Sequence, residues 1–510
     1  MITIPRNTDF ETKGELKERV LLNAARLCAD IYRPAAIFTQ DKNGWPGDWE
    51  GRTLLALVSH MRSLHTEPPY LRDIILEIPK KLNEKGYLGR ILPEGTFDEQ
   101  QLSGHNWLIR GLMEYYLATG EESVSDVVKR IVGNLYVPLK GAYSGYPLEP
   151  ELRKTEGSYS GTVVGDHGSW VLSTDIGCAF MCIDGLSQYY EIYRDERVLD
   201  LLKEMIGVFR RIDFTGSHMQ THATLSALRG IIRLFNNTGD REFFDIAENI
   251  FEVYLSFGMT ENYANFNWFG HFDTWTEPCA ITDSLMVATE LYKITEDVKY
   301  LKLANRIYFN AFCYAQRYNG GFGTDDTVGP AGKYLKPNGA GISEAFWCCT
   351  MRGAEGLLSM CLNSALSDSS GRILIPFGGS FTIRSKEFEL DFQSLIPYRG
   401  EYTITLISYA DCCFTVSVFD GEKFIDHKLS ARAGESIVEK GSFQISLMNE
   451  DAFTVSGKKY FFGNLLLGTP NPDVKPLYEQ ARFVNGLQPL TNMKDVTMEN
   501  ITKEKRQIVF

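Results

Sequence analysis

The sequence predicts a helical barrel of the (α/α)6 type followed by an antiparallel β-sandwich. Three observations carry this expectation. Apolar residues recur at helical spacing as far as about residue 366, and beyond it the period changes to two. Several of the helical stretches share one plan, an apolar helix, a tight polar turn and a second helix. There are twelve helices in all, enough for six hairpins whose inner members would line a funnel.

In chain order the helices fall near 16–33, 51–65, 70–85, 100–119, 121–137, 174–192, 195–212, 219–239, 241–256, 277–295, 297–314 and 342–366. The turns ATGEES, YRDERV, NTGDRE and ITEDVK supply Gly or Asp where one helix must stop and the next be capped. Their uneven spacing excludes a short-period solenoid. Two long stretches interrupt the hairpins, 141–170, rich in Gly, Tyr and Ser, and 319–341, rich in Gly. Structureless loops of that length inside a compact domain are usually functional or disordered, and both are expected at the funnel mouth. Segments such as EYTITLISY and CCFTVSVFDG alternate and are bounded by Gly, Asp and Asn, which places a β-sandwich over 367–470. The domains expected are therefore 1–366, the barrel, and 367–470, the sandwich. The mixed polar tail 471–510 is expected to pack back on the body.

Composition narrows the function. A net charge of −13 with no Lys/Arg-rich block argues against nucleic acid as a partner. No apolar window of about 18 residues exists, so no membrane span is expected. The N-terminus lacks the basic and apolar regions of an export signal. Ten cysteines in 510 residues are too sparse for a disulfide framework. A cytoplasmic protein is expected. The 12% aromatic content suits a sugar-binding cleft.

The stretch SEAFWCCTMRG sets Cys348 beside Cys349 at a helix start. Neighbouring Cα atoms lie about 3.8 Å apart, closer than a disulfide prefers. A buried structural pair, a metal site and a reactive thiol remain. A second pair, Cys412 and Cys413, falls in a strand with side chains on opposite faces and reads as structural. Upstream, DTWTEPCAITD places Glu277 and Cys279 around Pro278, which fits the first turn of a helix. Glu277, Cys279, Cys348 and Cys349 make four ligands, enough for tetrahedral zinc, and thiolates favour zinc over magnesium or calcium. Spacing alone leaves buried helix-cap cysteines as the alternative.

A Glu-x-Cys element, a later Cys-Cys pair, a helical barrel and a trailing β-sandwich together resemble the beta-L-arabinofuranosidase family, glycoside hydrolase family 127 and its relatives. The resemblance implies that Glu277, Cys279, Cys348 and Cys349 bind zinc and that Cys348 is the nucleophile. It also implies an acid/base glutamate 16 residues before the first zinc ligand, where this chain has Glu261. Family Gly-His elements on inner helices match His222, and His105 more loosely, as sugar-site residues. Tyr263, beside the implied acid, would position it. Trp268, His271 and Trp275, in the aromatic run between the two glutamates, would stack on sugar faces or pack the barrel throat. The chain departs from the family in having Thr350-Met351-Arg352 after the pair and no histidine in STDIGCAFMCIDG.

The activity so implied is a zinc-dependent retaining glycoside hydrolase. Cys348 would attack as a thiolate, while Glu261, kept protonated by apolar neighbours, would serve as acid and then base. The partner would be a small carbohydrate or oligosaccharide such as a beta-L-arabinofuranoside, with a homodimer left open. The competing readings are another (α/α)6 carbohydrate enzyme, such as an unsaturated uronyl hydrolase or a sugar epimerase, and a non-catalytic carbohydrate-binding protein with structural zinc.

Overall fold

The computed structural model describes residues 2–5, 9–38, 44–153, 160–332, 334–338 and 344–468, with four two-residue strand pieces in the tail. Twelve helices of ten residues or more occur among them. The first six are α1 (Gly14–Leu27), α2 (Asp48–Leu64), α3 (Leu71–Lys81), α4 (Glu99–Thr119), α5 (Glu122–Ile131) and α6 (Cys182–Tyr193). The second six are α7 (Glu196–Phe209), α8 (Thr221–Thr238), α9 (Arg241–Phe257), α10 (Pro278–Thr295), α11 (Val298–Ile307) and α12 (Cys349–Leu362).

Helices α2, α4, α6, α8, α10 and α12 form a closed inner ring, each packed on the next and α12 back on α2. Helices α3, α5, α7, α9 and α11 each cover the inner helix that precedes them, and α1 covers α12. This is an (α/α)6 barrel, closed by its N-terminal helix. Inner and outer helices alternate in direction, so the six inner N-termini gather at one end of the barrel. The ring is tight. A Cβ on Gly51 would lie 2.1 Å from the backbone nitrogen of Leu108, and one on Gly230 would lie 2.5 Å from the carbonyl carbon of Ile183.

The turns behave as their residues dictate. Gly120, Arg194, Gly239 and Glu296 adopt left-handed backbone and end α4, α6, α8 and α10. Asp195, Asp240 and Asp297 then accept the backbone N–H groups of Arg197, Glu242 and Lys299 and start the outer helices. The predicted ends near 137 and 314 reflect π-turns, Val132–Tyr136 and Tyr308–Phe312, that continue α5 and α11. Helix α12 starts later than 342 because Ala345 N bonds the Phe322 carbonyl and Glu344 pairs with Gly323, keeping the approach extended.

The barrel axis is filled by charge. Arg110, Arg229, Arg233 and Arg352 interleave with Glu114, Asp184, Asp283 and Glu355, all from inner helices. Arg352, Asp184 and Asp283 have no exposed side-chain surface. Four positive and four negative groups balance. Pairing of this kind is what lets charge sit inside a ring of apolar helices.

The β-sandwich sets a five-stranded sheet, ordered 9–13, 380–384, 388–394, 401–408 and 436–442, over a four-stranded sheet, ordered 424–431, 412–419, 373–375 and 366–367. Phe381, Ile383, Leu390, Phe392, Ile404 and Leu406 meet Ile373, Ile375, Val416, Val418 and Leu429 in its core. All pairs are antiparallel except Cys412–Phe419 with Ile373–Ile375.

Sequence order and structure diverge at two places. The strand Asp9–Lys13 belongs to the sandwich although it precedes the barrel. Strands Leu447–Asp451, Lys458–Phe462 and Leu465–Gly468 form a separate sheet whose Phe461, Leu465 and Leu466 join the barrel's apolar core. The tail 471–510 lies outside the described residues except for the strand pieces, of which Gln488–Pro489 pairs with Leu467–Gly468 and Arg506–Gln507 with Tyr334–Leu335. No helix among the described residues is long and apolar enough to cross a membrane.

Candidate functional site

The site lies where the inner helices begin. Glu277 is the N-cap of α10, Pro278 its first residue and Cys279 its second. Cys348 caps α12 and Cys349 opens it. Helices α10 and α12 are neighbours in the ring, so two motifs far apart in sequence meet at one level. One ligand atom from each of Glu277, Cys279, Cys348 and Cys349 lies within 4.8 Å of the other three. The Cys348 and Cys349 sulfurs are 3.2 Å apart, and those of Cys279 and Cys349 3.6 Å.

The cluster can hold a metal ion. Glu277 Oε1 lies 3.0 Å from His222 Nδ1, whereas its buried Oε2 has no hydrogen-bond partner among the described residues. Three sulfurs and a free carboxylate oxygen converging at the positive ends of two helices suit a soft-to-borderline cation. Burial pushes the Cys279 thiol up to about 11 and the Cys349 thiol well above its ordinary value. Cys348 is drawn down instead, by hydrogen bonds from those two thiols and by nearby Arg52. All ten cysteines are free.

Two cavities open onto the cluster. The narrow one, about 170 Å³, is lined by Asp48, Arg52, Asp175, His222, Glu277 and Cys348 among others. The wider one, about 820 Å³, shares Glu277, Cys348, Trp347, Ser160 and Gly161 and adds Trp275 and Glu344. Cys348 is half-buried and reaches both, whereas Cys349 is 1% exposed and borders only the wider. Both long loops reach the mouth, the first through Ser160 and Gly161, the second through Asn319, Thr324 and Asn338.

Not every expected residue is here. His222 is, but its ring serves Glu277 on one side and Asp283, 3.5 Å from Nε2, on the other, while stacking on Trp107. Trp275 lines the wider cavity with its ring edge-on to Trp268, which is 1% exposed and packs the throat. His271 lies against the His218 ring, 4.2 Å between centroids, and lines neither cavity.

Three other expected residues line neither cavity. His105 is a core residue: its Nδ1 donates to the Gln101 carbonyl and its Nε2 accepts from Leu88 N. Tyr263, 1% exposed, packs edge-on to Phe453 and Phe461, and its hydroxyl accepts from Arg306. Glu261 borders neither cavity. Its Oε2 accepts from Phe453 N at 2.9 Å and lies 3.0 Å from Lys459 Nζ, and its Oε1 accepts from Thr454 Oγ1 at 2.8 Å. Burial pushes this carboxyl up, but Lys459 and the two backbone N–H groups outweigh it and hold Glu261 below the usual range. Glu261 is a joint between barrel and β sheet, ionised rather than protonated, because the 453–459 hairpin folds over it.

Residues the motifs did not reveal complete the site. Arg52, paired with Asp48 at 2.8 Å, sets a guanidinium 3.5 Å from the Cys279 sulfur. Trp45 Nε1 donates to the Gly161 carbonyl and pins the first loop to the mouth. The aromatic pair in GWPGDWEGR was the one local signal available for this wall.

No family model and no curated protein matches the chain. Solved structures do. A GH127 beta-arabinofuranosidase superposes with TM-score 0.67 at 12% identity, covering 93% of this chain and 86% of the other. A GH127 beta-L-arabinofuranosidase from Geobacillus stearothermophilus T6 gives TM-score 0.63 at 13% identity over 92% of this chain and 89% of its own. A further glycoside hydrolase gives 0.62 at 12% identity over 94% and 85%. The chain therefore shares the fold of these enzymes, barrel and β domains together, at low sequence identity. The first two carry the same family name as the motif resemblance.

Proposed function

We propose that the protein is a zinc-dependent retaining glycoside hydrolase with a cysteine nucleophile, acting on a furanoside such as a beta-L-arabinofuranoside. The observation that carries this reading is the convergence of Glu277, Cys279, Cys348 and Cys349 beside two cavities, both of which Cys348 alone of the three thiols lines. The fold shared with GH127 enzymes supports it.

Glu277, Cys279, Cys348 and Cys349 would hold zinc, which when bound keeps thiolates deprotonated at neutral pH. Cys348 is the sulfur presented to substrate, and its thiolate attacks the anomeric carbon. His222 orients Glu277 through the 3.0 Å contact, as ligating carboxylates are commonly fixed by a second layer of hydrogen bonds. Arg52 adds positive charge beside Cys279. The narrow cavity takes one terminal sugar, and Trp347 and Trp275 flank the wider space where a leaving group would lie. Reduced thiols suit the cytoplasmic setting expected from the sequence.

The test is a screen of nitrophenyl furanosides and pyranosides on protein purified without added metal, with metal content measured on the same sample. Turnover of a furanoside by zinc-loaded protein, lost on chelation and restored by zinc, is the expected result. Full turnover by metal-free protein sinks the reading.

A further inference from the structure

With Glu261 lining neither cavity, the proton donor for the proposed reaction is sought among the groups that do. Among the described residues, four carboxyl side chains line the two cavities: Asp48, Asp175, Glu277 and Glu344. Three are committed elsewhere. Asp48 pairs with Arg52 at 2.8 Å and Glu344 with Arg26 at 2.8 Å. Glu277 belongs to the thiol cluster. Asp175 alone of the four has neither a cation within ion-pair distance among the described residues nor a place in the cluster.

Its surroundings are built. Asp175 is 5% exposed, in the turn between the strand Trp170–Ser173 and the short 3-10 helix Cys178–Phe180. The backbone is fixed by Asp175 N to Ser173 Oγ at 3.2 Å and by Cys178 N to the Asp175 carbonyl at 3.0 Å. Ser160 Oγ donates to Oδ1 at 2.8 Å and Gly161 N to Oδ2 at 3.1 Å. Both donors come from the loop that rims the mouth. Asp175 thus shares with Cys348 the wall of a cavity of about 170 Å³.

We propose that Asp175 is the catalytic acid/base of this site, working opposite Cys348. The assignment rests on the glycosidase reading above. In the first step the Asp175 carboxyl gives its proton to the glycosidic oxygen. The bond from the anomeric carbon to that oxygen breaks as the carbon–sulfur bond to Cys348 forms. In the second step the Asp175 carboxylate takes a proton from water as the water oxygen attacks the anomeric carbon. The carbon–sulfur bond breaks and the Cys348 thiolate departs. One water is consumed and one alcohol released.

The electrostatics agree with this role. Burial lifts the Asp175 carboxyl to about 7, helped by the Glu277 charge and opposed by the Ser160 and Gly161 hydrogen bonds and by His222. A group that titrates near neutrality can both give and take a proton.

The experiment compares a good leaving group, 4-nitrophenyl beta-L-arabinofuranoside, with a poor one, methyl beta-L-arabinofuranoside, using the zinc-loaded full chain. Asp175→Asn should lower kcat/KM on the methyl glycoside by at least about 100-fold, within the range general acid catalysis supplies. Attack on the nitrophenyl glycoside, which needs no acid, should be spared, and azide, which needs no general base, should accelerate its turnover. Ser160→Ala removes a donor to the carboxylate, so the alkaline limb of the wild-type pH profile should move to higher pH. This second variant serves if Asp175→Asn does not fold. An active wild type whose Asp175→Asn form hydrolyses the methyl glycoside at the wild-type rate, or whose alkaline limb ignores Ser160→Ala, overturns this assignment alone. A wild type that turns over no nitrophenyl glycoside in the screen overturns the glycosidase reading and this one with it.

Discussion

Glu261 and Lys459 form an ion pair of 3.0 Å in which neither side chain is exposed, one from the barrel and the other from the sheet that closes over it. Lys459 Nζ also donates to the Glu261 carbonyl and sits over the Phe453 ring. Removing one partner leaves a buried charge, at a cost of about 3–5 kcal/mol. Lys459→Ala should therefore lower the urea midpoint sharply, and Glu261→Gln somewhat less because an amide keeps part of the hydrogen bonding. Replacing both with apolar residues should recover much of the loss. A Glu261→Gln protein of unchanged stability, slowed only on substrates with poor leaving groups, would return the acid role to Glu261.

The sequence made the barrel legible because periodicity and caps are local properties. Asp240 after Gly239 and Asp297 after Glu296 announce a helix stop and restart without reference to the rest of the chain. The Glu/Cys cluster was legible for the same reason: Pro278 fixes a helix start, and the adjacent cysteines stand at a second one. The setting of Glu261 was not legible, because spacing along the chain says nothing about what folds over a residue. Its partners, Phe453, Thr454 and Lys459, lie almost two hundred positions away. Asp175 carried no local signal at all, since a lone Asp becomes distinctive only when the other cavity carboxyls are seen to be paired. The axial ion pairs were visible only as charges spaced four apart on apolar helices, at 110 and 114 and at 229 and 233.

The axial cluster makes the barrel acid-sensitive. Burial alone would raise the Asp184 carboxyl, but Arg229, Arg233 and Arg110 around it hold it far below its ordinary value. Asp283 is likewise held low by Arg352 and Arg229. A folded-state value below the unfolded one means the fold favours the ionised form. That contribution is complete above the unfolded carboxyl range, about pH 4, and disappears as pH falls further. Unfolding free energy should therefore be steady near neutrality and drop steeply below about pH 4, as followed by circular dichroism in urea. Arg229→Met should weaken this acid dependence and lower stability at pH 7 by about 3–5 kcal/mol.

His105 should matter to folding and not to turnover. Burial lowers its ring to about 4, so the neutral imidazole accepts from Leu88 N at physiological pH. His105→Ala strands that N–H, with an expected loss of about 1–3 kcal/mol. Its KM for any substrate of the screen should stay within about twofold of wild type, well under the tenfold that 1.4 kcal/mol of lost binding would produce. A tenfold rise in KM without loss of stability would place His105 at the sugar site after all.

Metal content should follow the cluster ligand by ligand. Protein purified without added metal should hold about one zinc per chain, as a closed set of four protein ligands predicts. Cys279→Ser and Cys349→Ser should both lose it, and both should unfold at lower urea, because an ion held by this cluster would tie α10 to α12. His222→Ala should bind zinc more weakly rather than not at all, by about 10–100-fold, since it acts through Glu277. Elemental analysis after gel filtration, with competition against a chromogenic chelator, reads these differences. Zinc retained at wild-type affinity in both cysteine variants would mean the ion sits elsewhere.

Cys348, rather than Cys349, should carry the sugar. Consecutive residues at a helix start diverge by about 100°, so two neighbouring sulfurs can reach one ion while only one faces substrate. Cys348 borders both cavities and is half-buried, whereas Cys349 is 1% exposed. Changing either removes a ligand, so activity loss alone does not separate them. A covalent adduct does. Rapid quenching of the 4-nitrophenyl furanoside reaction with the Asp175→Asn protein, in which the breakdown step lacks its base, should trap one sugar per chain by intact mass. Peptide mapping should place that mass on Cys348. Cys348→Ser should show neither adduct nor burst and should lose several orders of magnitude in turnover, because a hydroxyl without its own base is a poor nucleophile. An adduct on Cys349 would reverse the roles of the pair, and one on a carboxylate would remove thiol attack from the mechanism.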